Sequence, residues 1–369
     1  MDLSARLDPV LDVARATATQ VDTEGSFPAQ TVDALRHSGL FGLTLPPESG
    51  GLGGGPQDLV QVLGRLAALC GSAAMVYLMH LTATMAIASA PPASHPGLLK
   101  RLATDTLATL AFSEKGSRSH FWAPISRSRR ENGKVTLDSA KSWVTSAGHA
   151  EVYVVSTLAP DEGIDVYVVF AGASGVEVSG PWRGLGLRGN ASAPMRFQLP
   201  VADGDRIGEP GSGFALKLQA VMPWFNLGNA AVSLGLAQAA LDASVTHTSG
   251  SSFQHTGEAL ADLPTIRAQL ARAALDLETT RAYVEKAARS LAQPDESTML
   301  HVLGVKAVAN DMALRVTDVG MRVCGGAAFS EHLQVERFFR DARAGHVMAP
   351  TADVLYDFYG KAITGRELL

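Results

Sequence analysis

The sequence predicts an α+β multidomain fold: an N-terminal α-helical domain, a middle antiparallel β-barrel or sandwich, and a C-terminal four-helix bundle. Three observations support this prediction. The chain of 369 residues is too long for one ordinary hydrophobic core and indicates two or three packed units. Helical periodicity gives way to β-branched runs near residue 106, and it returns near residue 213. The predicted domains are therefore residues 1–105, 106–212 and 213–369.

Apolar residues at helical spacing predict the helices of the first domain. They recur from Leu3 to Val13, and a second helix is expected to begin at Pro28 and to end at Gly39. A glycine- and proline-rich loop follows. Two longer helices are then expected over residues 56–71 and 72–90.

Short β-branched runs separated by turn clusters predict the strands of the middle domain. The clearest runs cover residues 152–155, 166–170 and 195–199. The dipeptide Asn132-Gly133 tolerates the positive φ angles of a tight turn, so a hairpin is expected there. These strands fit a small antiparallel barrel or sandwich.

The last third of the chain is predicted to be a bundle of four helices. Amphipathic periodicity places them over residues 214–249, 258–290, 297–322 and 347–365. Pro264 and Ser297 are typical of helix starts. No internal repeat is visible.

Composition narrows the class of protein. A hydrophobic share of 46% with 18% charged residues is typical of a globular protein, and a net charge of −5 gives no general attraction to nucleic acid or to an anionic membrane. The two cysteines, Cys70 and Cys324, lie in apolar sequence and indicate neither a disulfide framework nor a metal site. The N-terminus lacks a secretory signal layout and no run of membrane-spanning length is recognised, so a cytoplasmic location is expected.

Two polar segments brought together by the hairpin predict a binding site. The first, AFSEKGSRS, is rich in hydroxyl groups around Gly116, where backbone N–H groups could face an anion. The second, KSWVTSAG, adds the aromatic wall of Trp143 and the hydroxyl of Thr145. Together they suit a planar heteroaromatic ring with a phosphate tail. The alternative is a β domain in which Trp143 belongs to the core.

These two segments resemble the middle domain of the acyl-CoA dehydrogenase flavoprotein family, whose motifs usually read T-E-P-G-x-G-S-D and K-x-W-I-T-N. A third segment, from Cys324-Gly325-Gly326 to Arg343, resembles the family's block of glycines followed by E-R-x-x-R-D-A-R. The segment FPAQTVDALRHSGLFGLTLPPESGGLG resembles the N-terminal helical domain of the same family. The resemblance therefore covers essentially the full chain and implies FAD as the cofactor.

The resemblance also assigns roles to individual cofactor-binding residues. It implies that Trp143 lies against the flavin, that Thr145 approaches flavin N5, and that Phe112 borders the ring. It further implies that Ser113 binds the pyrimidine edge of the flavin and that Ser119 reaches the pyrophosphate. Gly325 and Gly326 would contact the pyrophosphate of the FAD in a neighbouring subunit, and Thr351 would lie near the adenine end.

The sequence departs from the family where the catalytic base is expected. The family's Glu in Y-E-G-T corresponds to Ala349, and the alternative base position on the first bundle helix corresponds to Phe225. A neighbouring family Arg is replaced by Asn226. Because the loss of a general base typically costs on the order of 10²–10⁴ in rate, standard α,β-dehydrogenation of a fatty acyl-CoA is not expected.

Two histidines are candidate replacement acids or bases. His80 lies in an apolar helix of the first domain, and His346 lies close to the lost Glu. For each, the alternative is an ordinary structural histidine.

Three classes of function remain open. The first is a FAD-dependent oxidoreductase acting on an acyl thioester, carried by CoA or an acyl carrier protein, or on a related small organic substrate with a non-standard base. The second is an oxygen-using flavin monooxygenase that needs a flavin reductase or electron-transfer partner, and the third is a flavin-binding homologue without catalysis. Lyase-like elimination from a thioester also occurs on this fold. The resemblance implies a homodimer or homotetramer, with no nucleic acid, membrane or metal involved.

Overall fold

The structure is a computed structural model that describes residues 2–368, except residues 119, 121, 132 and 133. Helices build the first part of the chain, as predicted. Asp2 caps the first of them by accepting a hydrogen bond from the backbone N–H of Ala5 at 3.0 Å, and Gly25, in the left-handed region, ends it. The five helices described here are α1 (Leu3–Glu24), α2 (Ala29–His37), α3 (Pro56–Ala67), α4 (Gly71–Ser89) and α5 (Leu98–Thr104).

Helix α4 is the central helix of this part because nearly all of its residues are buried. It is apolar around its whole circumference, which is typical of a helix enclosed on all sides. Among the described residues it is also the one helix long and apolar enough to cross a membrane, but 89% of that window is buried within the protein. Its apolar surface is therefore covered by the chain itself.

The middle part contains two sheets, one with strand order β1-β4-β5 and the other with β2-β3-β7-β6. The predicted strands lie within β4, β5 and β7. The described strands are β1 (Ala108–Ala111), β2 (Arg129–Glu131), β3 (Lys134–Val144), β4 (Val152–Leu158), β5 (Ile164–Phe170), β6 (Val176–Val178) and β7 (Ala193–Val201).

The strand pairing differs from the prediction in one respect. β1 pairs with β4 in parallel, whereas the other described ladders are antiparallel as expected. A parallel pair requires a long crossover, and here the segment between β1 and β4 carries the second sheet's β2–β3 hairpin. Glu131 pairs with Lys134 at the end of that hairpin, while the predicted turn residues 132 and 133 lie outside the described residues.

Helices return after β7 and form the C-terminal bundle. α6 (Gly213–Leu216) leads into one π-helical turn, Lys217–Val221, and then into the longer helices. These are α7 (Met222–Gly250), α8 (Pro264–Ala292), α9 (Thr298–Cys324), α10 (Val335–Val347) and α11 (Ala352–Ile363). The helix α10 was not predicted as a separate element, because its charged Glu-Arg-Phe-Phe-Arg-Asp sequence was interpreted as part of a cofactor-binding motif.

Small residues allow the first domain and the bundle to share one continuous core. At Gly235 on α7 an added Cβ would lie 2.2 Å from the carbonyl oxygen of Gly64 on α3, so the two helices touch backbone to backbone. Gly228 is similarly covered by Leu78 of α4. This close packing fixes the start of α7 relative to the N-terminal helices.

Candidate functional site

Trp143 is at the surface and not in the core. Its exposed fraction is 66%, and its ring lies edge-on to Trp182 with 5.9 Å between centroids. The ladder between β3 and β7 shifts register between Lys141 and Val144, and Trp143 has a φ angle of +57° there. A bulge that turns a bulky residue into the left-handed region is a feature found at functional sites. The structure therefore offers an exposed aromatic wall where the sequence predicted one.

Hydroxyl groups surround this wall. The Oγ atoms of Ser142 and Ser146 are buried and have no hydrogen-bond partner among the described residues. The Oγ1 of buried Thr145 lies 3.0 Å from the Oγ of Ser192. The backbone N–H of Ser142 donates to the carbonyl of Ser113 at 2.9 Å, which joins the two predicted motifs. Unpartnered buried hydroxyls are costly unless a ligand or water satisfies them.

Two buried amines lie beside the first motif. Lys141 pairs with Glu114, whose carboxylate also accepts from the N–H groups of Ile125 and Ser126. These contacts hold the pKa of Glu114 below its usual value in spite of its burial. The Nζ of Lys217 lies 4.8 Å from the ring centroid of Phe112.

The protonation state of Lys217 follows from its surroundings. Its side chain is fully buried, and burial together with the charge of Lys141 lowers its pKa well below the usual value. The charge of Glu114 acts in the opposite sense, but that carboxylate already pairs with Lys141. Lys217 therefore places a buried amine with a lowered pKa beside the predicted flavin-bordering residue Phe112.

The segment that follows the first motif meets α11 across a cavity of about 400 Å³. His120 and Trp122 line one side, and Asp353 and Phe358 of α11 line the other. Ser119, predicted to contact the pyrophosphate, lies outside the described residues. Thr351 directly precedes α11, and its side chain makes no capping hydrogen bond there.

The glycines of the third motif lie at the C-terminal end of α9 and are exposed. Gly325 has a φ angle of +56°, which only glycine adopts readily, and an added Cβ at Gly325 or Gly326 would meet no atom within 4 Å. The adjacent Phe329 is 86% exposed. This surface faces away from the chain, as a site completed by another molecule would.

The two positions predicted to correspond to the family's catalytic carboxylate have apolar side chains in this structure. Phe225 on α7 is buried, and Ala349 lies half-buried in the loop between α10 and α11. The Nδ2 of Asn226 donates to the carbonyl of Val302 at 2.9 Å, so this buried amide is used in helix packing.

The geometry does not support the catalytic role predicted for His80. Its side chain is fully buried, its Nδ1 accepts from the N–H of Ala108 at 3.1 Å, and its Nε2 therefore donates to the carbonyl of Phe41 at 3.1 Å. Burial lowers its pKa to about 4. His80 thus connects α4 to β1 and to the segment after α2, with both ring nitrogens engaged.

His346 lies at the end of α10, half-buried, with Nδ1 3.3 Å from a carboxylate oxygen of Asp311. The hydroxyl of Tyr356 donates to the same carboxylate at 2.7 Å. The role of His346 as an acid or base stays a prediction.

Sequence reasoning missed the buried lysines Lys141, Lys217 and Lys306. The signal was present, because Lys217 and Lys306 each interrupt an apolar run of a predicted helix. A charged residue at an apolar position indicates either a pairing partner or a shifted pKa.

The local geometry fits a flavin. An exposed tryptophan, unpartnered hydroxyls beside it and open glycines at a helix end suit an aromatic ring, its polar edge and a phosphate group respectively. Combined with helical domains on both sides of a β domain, this arrangement is the one expected of a flavoprotein that binds FAD.

Comparison with known proteins specifies the family. Three sequence profiles match consecutive parts of the chain: acyl-CoA dehydrogenase, N-terminal domain over residues 10–104, middle domain over residues 109–199, and C-terminal domain over residues 211–364. The chain belongs to the acyl-CoA dehydrogenase family.

Individual relatives span nearly the whole chain. Cyclohex-1-ene-1-carbonyl-CoA dehydrogenase of Geobacter metallireducens is 29% identical, with 98% of this chain and 97% of the relative covered. The solved butyryl-CoA dehydrogenase of Megasphaera elsdenii superposes with a TM-score of 0.92 at 23% identity, covering 99% and 98% of the two chains. Dibenzothiophene monooxygenase of Paenibacillus sp. A11-2 shares the fold with a TM-score of 0.84 at 20% identity, covering 98% and 97%.

Proposed function

We propose that the protein is a FAD-dependent oxidoreductase that acts on an acyl thioester or a related small organic substrate with a non-standard catalytic base. Its relatives with CoA thioesters in their names support the substrate class. The single observation that carries the proposal is the pair Ala349 and Phe225, which leaves no carboxylate at either family base position. FAD, when bound, supplies a two-electron acceptor.

Lys217 supports an altered base. General bases work best when their pKa lies near the working pH, and burial lowers the pKa of this amine toward that range. A neutral amine holds a lone pair at Nζ that can accept a proton from an acidic C–H bond next to a thioester carbonyl. Its position against Phe112 places it at the predicted edge of the flavin. Glu114 is a weaker candidate because Lys141 and Ser126 already engage its oxygens.

The experiment is an anaerobic titration of the FAD-loaded protein with butyryl- and octanoyl-CoA, followed through the visible absorbance of the flavin. We expect slow bleaching with a suitable thioester and a further loss of rate in Lys217→Met. Turnover of either ester at ordinary rates, on the order of 1–10³ per second, with Lys217→Met unchanged, would contradict the proposed base.

An oxygen-using monooxygenase is the second candidate, because that chemistry needs no carboxylate at position 349 and a monooxygenase shares the fold. The same titration separates the two functions when it is repeated with dithionite-reduced protein and oxygen. A flavin–oxygen adduct and a requirement for a reductase partner would favour the monooxygenase. Protein that neither bleaches nor reacts with oxygen would favour the non-catalytic homologue.

A substitution tests the missing carboxylate directly. Ala349→Glu is expected to raise oxidation of an acyl-CoA from a low level to a measurable one, because a side chain there needs only to reach the substrate α-carbon. Ala349→Gln, of similar size but without basicity, is the matched control. Equal activity in the two variants would show that position 349 is not close to the α-carbon.

A further inference from the structure

One fully buried lysine lies where helix α10 ends and the Ala349 loop begins. From α9, the Nζ of Lys306 donates to the carbonyls of Gly345 at 2.8 Å, Met348 at 3.1 Å and Pro350 at 2.9 Å. It also donates to the Oδ1 of Asn310 at 3.0 Å. Four acceptors therefore surround one amine, and three of them are backbone carbonyls of the last turn of α10 and the loop that follows it.

These contacts satisfy groups that a helix end leaves without partners. The last carbonyls of an α-helix have no intrahelical N–H, and they form the negative end of its dipole. Gly345 is in the last turn of α10, and Met348 and Pro350 continue the chain beyond it. Lys306 thus caps α10 from a neighbouring helix and follows the backbone into the loop.

A second group of side chains sets the distance between α10 and the bundle core. The Nδ2 of Asn310 donates to Asn229 and to Ser233 on α7, both at 2.8 Å. An added Cβ at Gly345 would lie 2.6 Å from that Nδ2 atom. Only glycine at position 345 allows the loop to approach Lys306 this closely.

We propose that Lys306 is a positioning residue, which holds the backbone of residues 345–350 so that Ala349 and Thr351 are presented to the cofactor and substrate site. This inference rests on the proposed function for the identity of that site, but the positioning of the loop is a separate physical statement. The hydrogen bonds of Lys306 go to the neighbouring backbone and not to Ala349 or Thr351 themselves. It acts through the carbonyl groups on both sides of Ala349.

The amine carries its proton most fully in mildly acidic solution. Burial lowers the pKa of Lys306 to about 7, and the nearby charge of Asp311 opposes that shift. Asp311 itself faces His346 of α10 and Tyr356 of α11, whereas α7 presents the uncharged Asn229 and Ser233. Measurements at pH 6 therefore compare a charged Lys306 with its variants.

The test uses two variants with different chemistry and a matched control for each. Lys306→Met removes the donors, and Gly345→Ala displaces the loop from Lys306 while every hydrogen-bonding side chain is retained. Lys286→Met replaces an exposed lysine of α8, and Gly360→Ala adds a Cβ that meets no atom within 4 Å on α11. Amide hydrogen exchange is measured by mass spectrometry on FAD-free protein at pH 6. The Kd for FAD is measured by titration of the same protein, and the visible circular dichroism is recorded after FAD has been bound.

We expect faster exchange in peptides covering residues 343–356 for Lys306→Met and Gly345→Ala, with peptides from α3 and α8 unchanged. FAD binding should weaken about tenfold, as expected when hydrogen bonds to a charged group are lost, and the dichroism of the bound flavin should change. Both controls should behave as wild type. If Lys306→Met does not fold, Gly345→Ala decides the proposal.

Unchanged exchange in residues 343–356, or faster exchange spread evenly over the whole chain, would overturn the positioning role. Wild-type protein that takes up no FAD would instead refute the proposed function, and the exchange data would still decide whether Lys306 holds the loop.

Discussion

At the residue scale, Trp143 has a conformation that a side chain of its size adopts only under constraint. It combines a φ angle of +57° with an exposed fraction of 66%, although burial of a large aromatic ring would stabilise the folded chain. The surrounding bulge in β3 maintains this conformation. An exposed, strained tryptophan is therefore better explained by contact with a ligand than by the stability of the FAD-free chain.

Trp143→Ala is expected to weaken FAD binding and to leave the unfolding free energy of FAD-free protein within about 0.5 kcal/mol of wild type. Quenching of tryptophan fluorescence on FAD addition should decrease in the same variant. Leu275→Ala, which also truncates a side chain with an exposed fraction of 66%, is the control. If the Kd for FAD is unchanged in Trp143→Ala, the ring does not lie against the flavin.

His80 makes a prediction about acid stability. Its pKa is about 4 in the folded chain and about 6.5 when unfolded, so between these values only the unfolded state binds the proton. The stability that depends on neutral His80 is complete above pH 6.5 and is lost as the pH falls through 4, by about 3 kcal/mol in total. Urea unfolding from pH 7 to pH 4 should show a smaller decrease in His80→Gln than in wild type.

Asp341 provides a control of opposite sign for that experiment. Burial raises its pKa to about 6, so the folded state binds the proton more tightly than the unfolded state. The contribution of Asp341 to the free energy of unfolding is fully present below the unfolded pKa of 3.8 and is lost as the pH rises through 6. Asp341→Asn should therefore steepen the decrease that His80→Gln reduces. Parallel curves for wild type and His80→Gln would contradict the neutral, doubly bonded histidine.

At the element scale, the π-helical turn Lys217–Val221 joins the β domain to α7 and places a lysine in the protein interior. One-turn π segments occur frequently at functional sites. Because the pKa of Lys217 is lowered well below its usual value, burial of this amine on folding disfavours its protonated form. That requirement reduces the free energy of unfolding, so the turn is retained at a cost in stability.

Lys217→Met is expected to raise the Tm at pH 7, because burying an apolar side chain of similar length carries no penalty for an ionisable group. The difference in Tm between Lys217→Met and wild type should narrow as the pH rises toward 10.5, because the lysine of the unfolded chain then loses its proton. Lys134→Met, at an exposed position of β3, is the control and should leave Tm nearly unchanged. A lower Tm in Lys217→Met at pH 7 would indicate a charged and well-solvated amine.

At the scale of the whole molecule, the open glycines at the end of α9 and the exposed Phe329 form a surface that the chain does not cover. This arrangement is expected if a neighbouring subunit contributes part of its FAD to Gly325 and Gly326. The protein should then bind one FAD per subunit only as an oligomer.

Gly326→Asp tests that expectation. An added Cβ at Gly326 would meet no atom within 4 Å in the described part of the chain, so FAD-free protein should fold with an unchanged Tm. FAD occupancy should nevertheless be lost, because a carboxylate would lie beside the pyrophosphate. Light scattering gives the oligomeric state, and absorbance gives the flavin content. A monomer holding FAD at full occupancy would rule out a shared site.

The amino-acid sequence alone determined the class of fold, the order of its helical and β parts, and the motifs around Trp143 and Gly325. These properties are local, because apolar periodicity and turn residues act within a few positions of one another. The sequence also predicts that the family's catalytic carboxylate is missing, because Ala349 and Phe225 stand at the two positions that the resemblance assigns to it, and this stays a prediction. It did not predict the parallel pairing of β1 with β4, which depends on a long crossover.

Only the tertiary structure decided what the buried polar residues do. His80 became a structural link because Phe41 and Ala108, distant in sequence, reach its two nitrogens. Lys306 contacts the backbone on both sides of Ala349 only because α9 packs against the end of α10. The protonation and role of a buried group depend on which acceptors, donors and charges surround it in space, and sequence separation carries little information about those neighbours.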